Sequence, residues 1–402
     1  MGDLSTIEAG AVERAAAAPM LAQVEAWSAI NSGSRNLAGL AAMADLLADA
    51  FAALPGELRL LDPACVDAMA ADGSLAPLQH GRNIHLKVRP DAPLQLLFTG
   101  HYDTVFGADH PFQQLAWRSE GVLGGPGVAD MKGGISVMLA ALGAVEASPA
   151  AAGIGYEIVL NSDEEVGSPG SAALIAQAAR GKRAALTYEP SALPDGTLAG
   201  ARPGSGNFSL FVQGRSAHAG RNPEDGRNAL VAAADLALRL AAARSEGLKV
   251  NPARIEGGGP NNVVPDHAVL RVNLRPATVE DQANTQRLLD EIVAAVAADH
   301  DVTIMAHGGF ARPPKPMTPK AEQLFELVRR CGADLGQQIG WRATGGVCDG
   351  NNIAACGVPV VDTMGVRGGA IHSADEYLIV ESLAERAALS ALTILRLAEG
   401  QG

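Results

Sequence analysis

Three apolar runs in the first half of the chain each stop just before histidine or carboxylate side chains, and this regularity limits the fold more than any other feature. Residues 94–99 lead into His101-x-Asp103, residues 156–160 into Glu164-Glu165, and residues 184–188 into Glu189. Between them, residues 133–146 and 168–179 read as helices. Strands alternating with helices predict an α/β fold, a mainly parallel sheet with helices on both faces. In such sheets ligands gather beyond the carboxyl ends of the strands. All three runs deliver their histidine and acids to that edge. Upstream, residues 20–30 and 36–53 read as helices, parted by Asn31-Ser32-Gly33-Ser34.

The pattern changes near residue 200. Residues 207–212 alternate as a half-buried strand and 228–243 form an alanine- and leucine-rich helix. Strands at 251–255 and 267–274, a helix at 281–298 and a strand at 302–306 follow. That order, strand–helix–strand–strand–helix–strand, is ferredoxin-like. Past Arg312-Pro313-Pro314-Lys315-Pro316 the first pattern returns, with a helix at 320–331 and an apolar strand at 358–363 leading to His372. At 402 residues the chain exceeds one ordinary core. The expectation is one domain formed by residues 1–200 and 310–402, interrupted by an α+β domain at 201–309.

Histidines and carboxylates at strand ends are what a two-cation site needs: nitrogen and oxygen ligands, one shared carboxylate and a position open to water. His101 and Asp103, two apart, point the same way in extended chain. A ligating imidazole gives its other N–H to a carboxylate, so Asp103 either plays that part or orients a base. Asp130 lies among glycines just before a helix, as a helix cap or as a carboxylate bridging two cations. Asp163, Glu164 and Glu165 are successive acids whose repulsion demands a positive partner. One of the two glutamates ligates and the other takes a proton from water. Glu189 offers another oxygen, and His372, in a glycine-rich loop, completes the second cation's ligands. His218 stands in a turn-like segment of the inserted domain. Asn262, Arg275 and Arg312 are able to grip a carboxylate or an oxyanion, arginine through its planar fork. A Cys348–His372 nucleophile is set aside, because nothing near Cys348 in sequence lowers its pKa.

Six segments together resemble the M20 family of dinuclear zinc peptidases, and most of all its glutamate carboxypeptidase (carboxypeptidase G2-like) branch. They are Gly100-His101-Tyr102-Asp103-Thr104-Val105, Gly127-Val128-Ala129-Asp130-Met131-Lys132-Gly133-Gly134, Asp163-Glu164-Glu165-Val166-Gly167-Ser168, Tyr188-Glu189-Pro190, Ser216-Ala217-His218-Ala219-Gly220 and His372-Ser373-Ala374-Asp375-Glu376. The resemblance implies a zinc-peptidase catalytic domain with an inserted ferredoxin-like lid and dimerisation domain. It implies that His101 and Glu189 bind one Zn²⁺, that Glu165 and His372 bind the other, and that Asp130 bridges. That makes two Zn²⁺ per chain, with Co²⁺ or Mn²⁺ able to substitute. Asp103 then supports the site and Glu164 is the general base. His218 stabilises the oxyanion from the lid of a partner subunit in a homodimer, and Asn262 and Arg275 match lid positions that hold substrate. A cis peptide is implied at Asp130-Met131. Glu189, where aminopeptidase-like members place Asp, implies a carboxypeptidase or deacylase. The loop 191–200 lacks the lysine that meets glutamate in that branch, and Arg202 or Arg312 are its substitutes. The implied reaction is hydrolysis of an amide or peptide bond next to a C-terminal amino acid. The alternative is an N-acyl amino acid amidohydrolase or a dipeptidase.

A formal net charge of −13 argues against a nucleic-acid partner and leaves a small peptide or N-acyl amino acid as substrate. A two-metal phosphoesterase would place more cations near the donors, and an intact Glu164 argues against an inactive scaffold. No uninterrupted apolar stretch of about 18 residues predicts a membrane span. No basic-then-apolar leader opens the chain. The cysteines Cys65, Cys331, Cys348 and Cys356 form no CxxC pair, so free thiols in a reducing, cytoplasmic setting are expected. Met1-Gly2-Asp3-Leu4-Ser5-Thr6 matches the short myristoylation pattern, which chance often produces.

Overall fold

A central six-stranded sheet runs in the order Glu57–Leu61, Asn83–Val88, Ile154–Asn161, Leu94–His101, Ala184–Thr187, Val360–Val361. The last four are mutually parallel, and the first two extend the sheet antiparallel. The computed structural model describes residues 4–401, so the first three residues of the myristoylation pattern lie outside the described residues.

Side chains of the central strands alternate between two apolar layers. Leu96 and Phe98 join Leu40, Ile135, Met138 and Leu392 on one face, while Leu97 joins Val159, Ile175 and Ile353 on the other. Helices Leu37–Phe51, Gly133–Glu146 and Glu381–Ala398 seal the first face, and Ala172–Ala179 and Asp349–Ala355 seal the second. Burial on both sides is why these strands are continuous apolar runs. The helix expected over 168–179 begins only at Ala172, because Ser168 at φ +56 and Pro169-Gly170 hold a turn. The segment Val128–Glu146 is long and apolar enough to cross a membrane by length and composition. It is packed in the core against Thr6–Ala16 and Glu381–Ala398.

The inserted unit is a four-stranded antiparallel sheet in the order Leu248–Gly257, His267–Pro276, Ser205–Gln213, Thr303–Arg312. Helices Ala229–Ala242 and Val279–His300 cover one face and share a separate core with Phe208, Leu210 and Val212. This is the ferredoxin-like arrangement. The opposite face meets the main unit, where Phe211 and Val269 pack on Met69 and Arg271 donates to the Met69 carbonyl at 2.8 Å. A small sheet of Gly368–Gly369, Tyr377–Ile379, Val122–Gly124 and Ala116–Ser119 carries the His372 loop.

Candidate metal centre

Strand Leu94–His101 ends on His101, paired in register with Asn161 at the end of its neighbour. Glu164 and Glu165 follow Asn161 after two residues, and Glu189 follows Thr187 after one. Asp130 arrives from the turn before helix Gly133–Glu146, and His372 from the loop between two strands of the small sheet. Gly134 lets that helix approach, since a Cβ there would stand 1.9 Å from the Tyr188 carbonyl oxygen. The Asp130–Met131 peptide is cis, as the resemblance implies. Glu376 Oε1 accepts the backbone N–H groups of Ala129 and Asp130, each at 3.0 Å. Lys132 Nζ donates to the carbonyls of Trp27 and Ile30 at 3.1 and 2.9 Å. The Asp130 turn is therefore clamped from two sides.

Asp130 stands at the middle of the cluster. Its Oδ1 lies 3.1 Å from His101 Nε2, and its Oδ2 lies 3.3 Å from His372 Nε2. Glu189 Oε2 approaches His101 Nε2 at 3.7 Å, and Glu165 Oε2 approaches His372 Nε2 at 3.1 Å. Donor atoms of His101, Asp130 and Glu165 lie within 4.8 Å of one another, as do those of His101, Glu164 and Glu189. Two donors bound tetrahedrally to one Zn²⁺ at about 2.0–2.1 Å stand about 3.3 Å apart. The observed separations bracket that value, so the donors fit a pair of such cations.

His101 Nδ1 lies 3.0 Å from the Asp103 carbonyl oxygen and 3.3 Å from Asp103 Oδ1. A proton on Nδ1 satisfies both and leaves the Nε2 lone pair facing the acids. Asp103 also accepts the Glu164 and Glu165 N–H groups at 3.1 and 3.2 Å and the Ser34 hydroxyl at 2.7 Å. Burial pushes Glu164 up to about 8, Glu165 to about 7 and Glu189 to about 8. Burial pulls His101 down, but Glu189, Asp103 and Asp130 carry it well above its ordinary value. Burial also works to raise Asp130, yet the bonds from His101 and His372 hold it low. The acids remain short of positive charge, a shortage that divalent cations meet.

Residues 97–396 match Peptidase family M20/M25/M40. The chain belongs to this family. Carboxypeptidase G2 of Pseudomonas sp. (strain RS-16) is 30% identical over 338 residues, covering 81% of this chain and 79% of that protein. A succinyl-diaminopimelate desuccinylase of Cupriavidus necator is 31% identical over 310 residues, covering 71% and 77%. The structure of Bacillus subtilis YxeP, a dinuclear metal binding peptidase from the M20 family, superposes with a TM-score of 0.65 at 15% identity, covering 94% of this chain and 98% of that one. The protein is thus an M20 metal-dependent peptidase or amidohydrolase.

Not every polar residue singled out from the sequence of this M20 enzyme is a free group at the cluster. Arg312, expected to grip substrate, is buried with its fork occupied by Glu164 and Asp349. Arg275 donates to the Gly345 carbonyl at 3.0 Å and to Asn273 Oδ1 at 2.9 Å. His218 and Asn262 are exposed on the inserted unit, where the Asn262 carbonyl accepts the Ala219 N–H at 3.0 Å. Arg202 is buried against Asp362 at 2.8 and 3.1 Å. Burial pushes the Cys348 thiol well above its ordinary value, which keeps it unreactive. Ser34, Lys132, Asp349 and Glu376 hold the site together yet drew no role from the sequence. Glu376 and Lys132 stood inside recognised segments, and Asp349 lay in a glycine-rich loop.

Proposed function

We propose that this M20 enzyme is a two-zinc hydrolase that cleaves an amide or peptide bond beside a C-terminal amino acid, in the manner of a glutamate carboxypeptidase. The observation that carries this reading is the shared Asp130, one oxygen facing His101 and the other facing His372. Glu164 stands beside that cluster but bonds Arg312.

In this reading His101 and Glu189 would hold one Zn²⁺ and Glu165 and His372 the other, with Asp130 shared between them. Co²⁺ or Mn²⁺ can take the same donors. Bound there, two such cations would supply a water of lowered pKa and a polarised scissile carbonyl. Glu164 accepts the proton of the attacking water and returns it to the leaving amine. Asp103 keeps His101 Nε2 turned toward the site and holds the backbone of Glu164 and Glu165. His218 from the inserted unit of a second copy stabilises the oxyanion, so a homodimer is part of the reading. Asn262 and Arg275 hold the substrate. A reducing, cytoplasmic setting fits the four free cysteines.

Similarity to carboxypeptidase G2 supports glutamate release. A second reading, an N-acyl amino acid amidohydrolase, is favoured by the lysine-free loop 191–200 and by the likeness to a desuccinylase. Zinc-loaded protein assayed on acyl-glutamates, other N-acyl amino acids, succinylated diamino acids and dipeptides separates them. Fastest release of glutamate supports the first reading, and preference for another acyl amino acid supports the second. Absence of any hydrolysis with two zinc ions bound would refute both.

A further inference from the structure

One nitrogen of Arg312 grips Glu164 twice. Nη2 donates to Glu164 Oε1 at 2.6 Å and to the Glu164 carbonyl at 3.1 Å, and it also meets Ser168 Oγ at 2.9 Å. The other nitrogen, Nη1, donates to Asp349 Oδ1 at 2.7 Å and to Asn352 Oδ1 at 2.9 Å. Asp349 is held in turn by the Ser168 hydroxyl at 2.5 Å and by Asn161 Nδ2 at 2.9 Å. Arg312 is 3% exposed and Asp349 1%. A planar guanidinium with that many partners, shielded from water, has a single orientation.

Three elements meet here: the last residue of strand Thr303–Arg312 from the inserted unit, the first residue of helix Asp349–Ala355, and the end of strand Ile154–Asn161. Glu164 has several freely rotating bonds and neighbouring acids, Glu165 and Glu189, that repel it. Without a fixed cation its carboxylate would swing away from them.

We infer that Arg312, locked by Asp349, is a positioning residue that aims the Glu164 carboxylate at the attacking water, and not a group that grips the substrate. The inference rests on the proposal that Glu164 is the proton acceptor. Asp349 acts through Arg312 and touches neither substrate nor cation. Because Arg312 closes the last strand of the inserted unit, the base is tied to the placement of that unit.

The test is the split between kcat and KM for an acyl amino acid and for the same compound with its α-carboxylate converted to a carboxamide. The variants are Asp349→Asn, Arg312→Lys and Arg312→Met, with Glu164→Gln as control. Misplacing a reacting group by about 1 Å costs on the order of 10²-fold in rate. Asp349→Asn and Arg312→Lys should therefore lower kcat about 10–10²-fold on both substrates, with KM moving less than about threefold and zinc content unchanged. Arg312→Met should fall further than Arg312→Lys, since lysine keeps the charge. Should Arg312→Met fail to fold, the two milder variants still give the answer. The inference is overturned if Arg312→Lys raises KM for the carboxylate substrate alone while Asp349→Asn keeps its kcat. Glu164→Gln separates the two possible failures. Normal turnover in that variant removes the base itself. An inactive Glu164→Gln beside a normal Asp349→Asn and Arg312→Lys removes only the positioning.

Discussion

Two buried ionic clusters in this enzyme are balanced in opposite ways. In one, Asp362 is fully buried, yet Arg202 at 2.8 Å and Lys315 at 3.0 Å overcome the effect of burial and hold its carboxyl below the usual range. In the other, Glu164, Glu165 and Glu189 are lifted to about 8, 7 and 8. The difference lies in what the chain itself brings. Two permanent cations surround one acid in the first case. In the second, His101 and His372 face Asp103, Asp130, Glu165 and Glu189, and among the acids of the cluster Arg312 reaches Glu164 alone. A buried carboxylate is tolerated when its counter-charge is covalently present. Where it is not, the charge comes from solution, and a site that recruits cations also recruits their chemistry.

The largest effect tests the acid-rich cluster. Glu164→Gln should lower turnover about 10²–10⁴-fold, the range of a lost general base. Metal analysis should still find two zinc ions per chain, because the variant keeps His101, Asp130, Glu165, Glu189 and His372. Loss of metal along with activity would make Glu164 a ligand and erase the distinction from its neighbour. The balanced cluster responds through stability. Asp362→Asn leaves Arg202 and Lys315 around a neutral amide, and breaking a buried pair in this way costs about 3–5 kcal/mol. Denaturant midpoints of the zinc-loaded proteins measure it. A loss below about 1 kcal/mol, the scale of exposed pairs, would mean that both cations escape to water and that the clusters do not differ in kind.

How much of this contrast was legible in the sequence follows from burial. Central strands such as Leu94–His101 and Ile154–Asn161 are covered on both faces, so they stand out as apolar runs, and the donors at their ends stand out with them. The inserted unit was legible through alternation, with Phe208, Leu210 and Val212 facing the helices. The edge strand Glu57–Leu61 was not, because it is half-exposed and carries Glu57 and Arg59. Strands of two to four residues, such as Gly368–Gly369 and Tyr377–Ile379, are too short for any period to show. At the site, histidines and acids able to hold a cation announce themselves by residue type, whereas their supports do so only through partners. Nothing near Asp349 in sequence points to Arg312, which lies 37 positions away. Likewise Glu376 reaches Asp130 across 246 positions. From sequence Arg312 reads as a substrate residue because a free arginine suits a carboxylate, and sequence cannot show that Glu164 and Asp349 engage its donors.

Removing metal sharpens the comparison on a smaller scale. With free Zn²⁺ about 100-fold above Kd, binding to the folded state alone adds about 2.7 kcal/mol of stability. A chelator should therefore lower the melting temperature of the wild type. The same treatment should leave Asp130→Asn nearly unmoved, since that variant lacks the carboxylate that faces both histidines. In Asp362→Asn the zinc increment should survive intact, because its cluster owes nothing to the cation. A zinc increment missing from the wild type would break the claim that the acid-rich cluster depends on outside charge.

The smallest effect concerns another acid that the chain itself surrounds with basic side chains. Glu157 meets His85 Nε2 at 2.6 Å, Lys182 Nζ at 2.8 Å and Lys87 Nζ at 3.6 Å. Burial works to raise it, but these partners bring it from 4.5 down to about 2. A carboxyl depressed on folding contributes stability above its unfolded value and loses it as pH falls through its folded value. Glu157→Gln should accordingly cost about 1–3 kcal/mol near neutral pH. The gap to wild type should narrow from about pH 5 downward, as the carboxyl of the unfolded chain takes up its proton while the folded one is still ionised, and unfolding free energies measured down to about pH 3 follow it. A gap that stays constant over that range would assign the loss to packing and neutral hydrogen bonding. Glu157 would then cease to be an acid held by charge, and the balance seen at Asp362 would not extend to it.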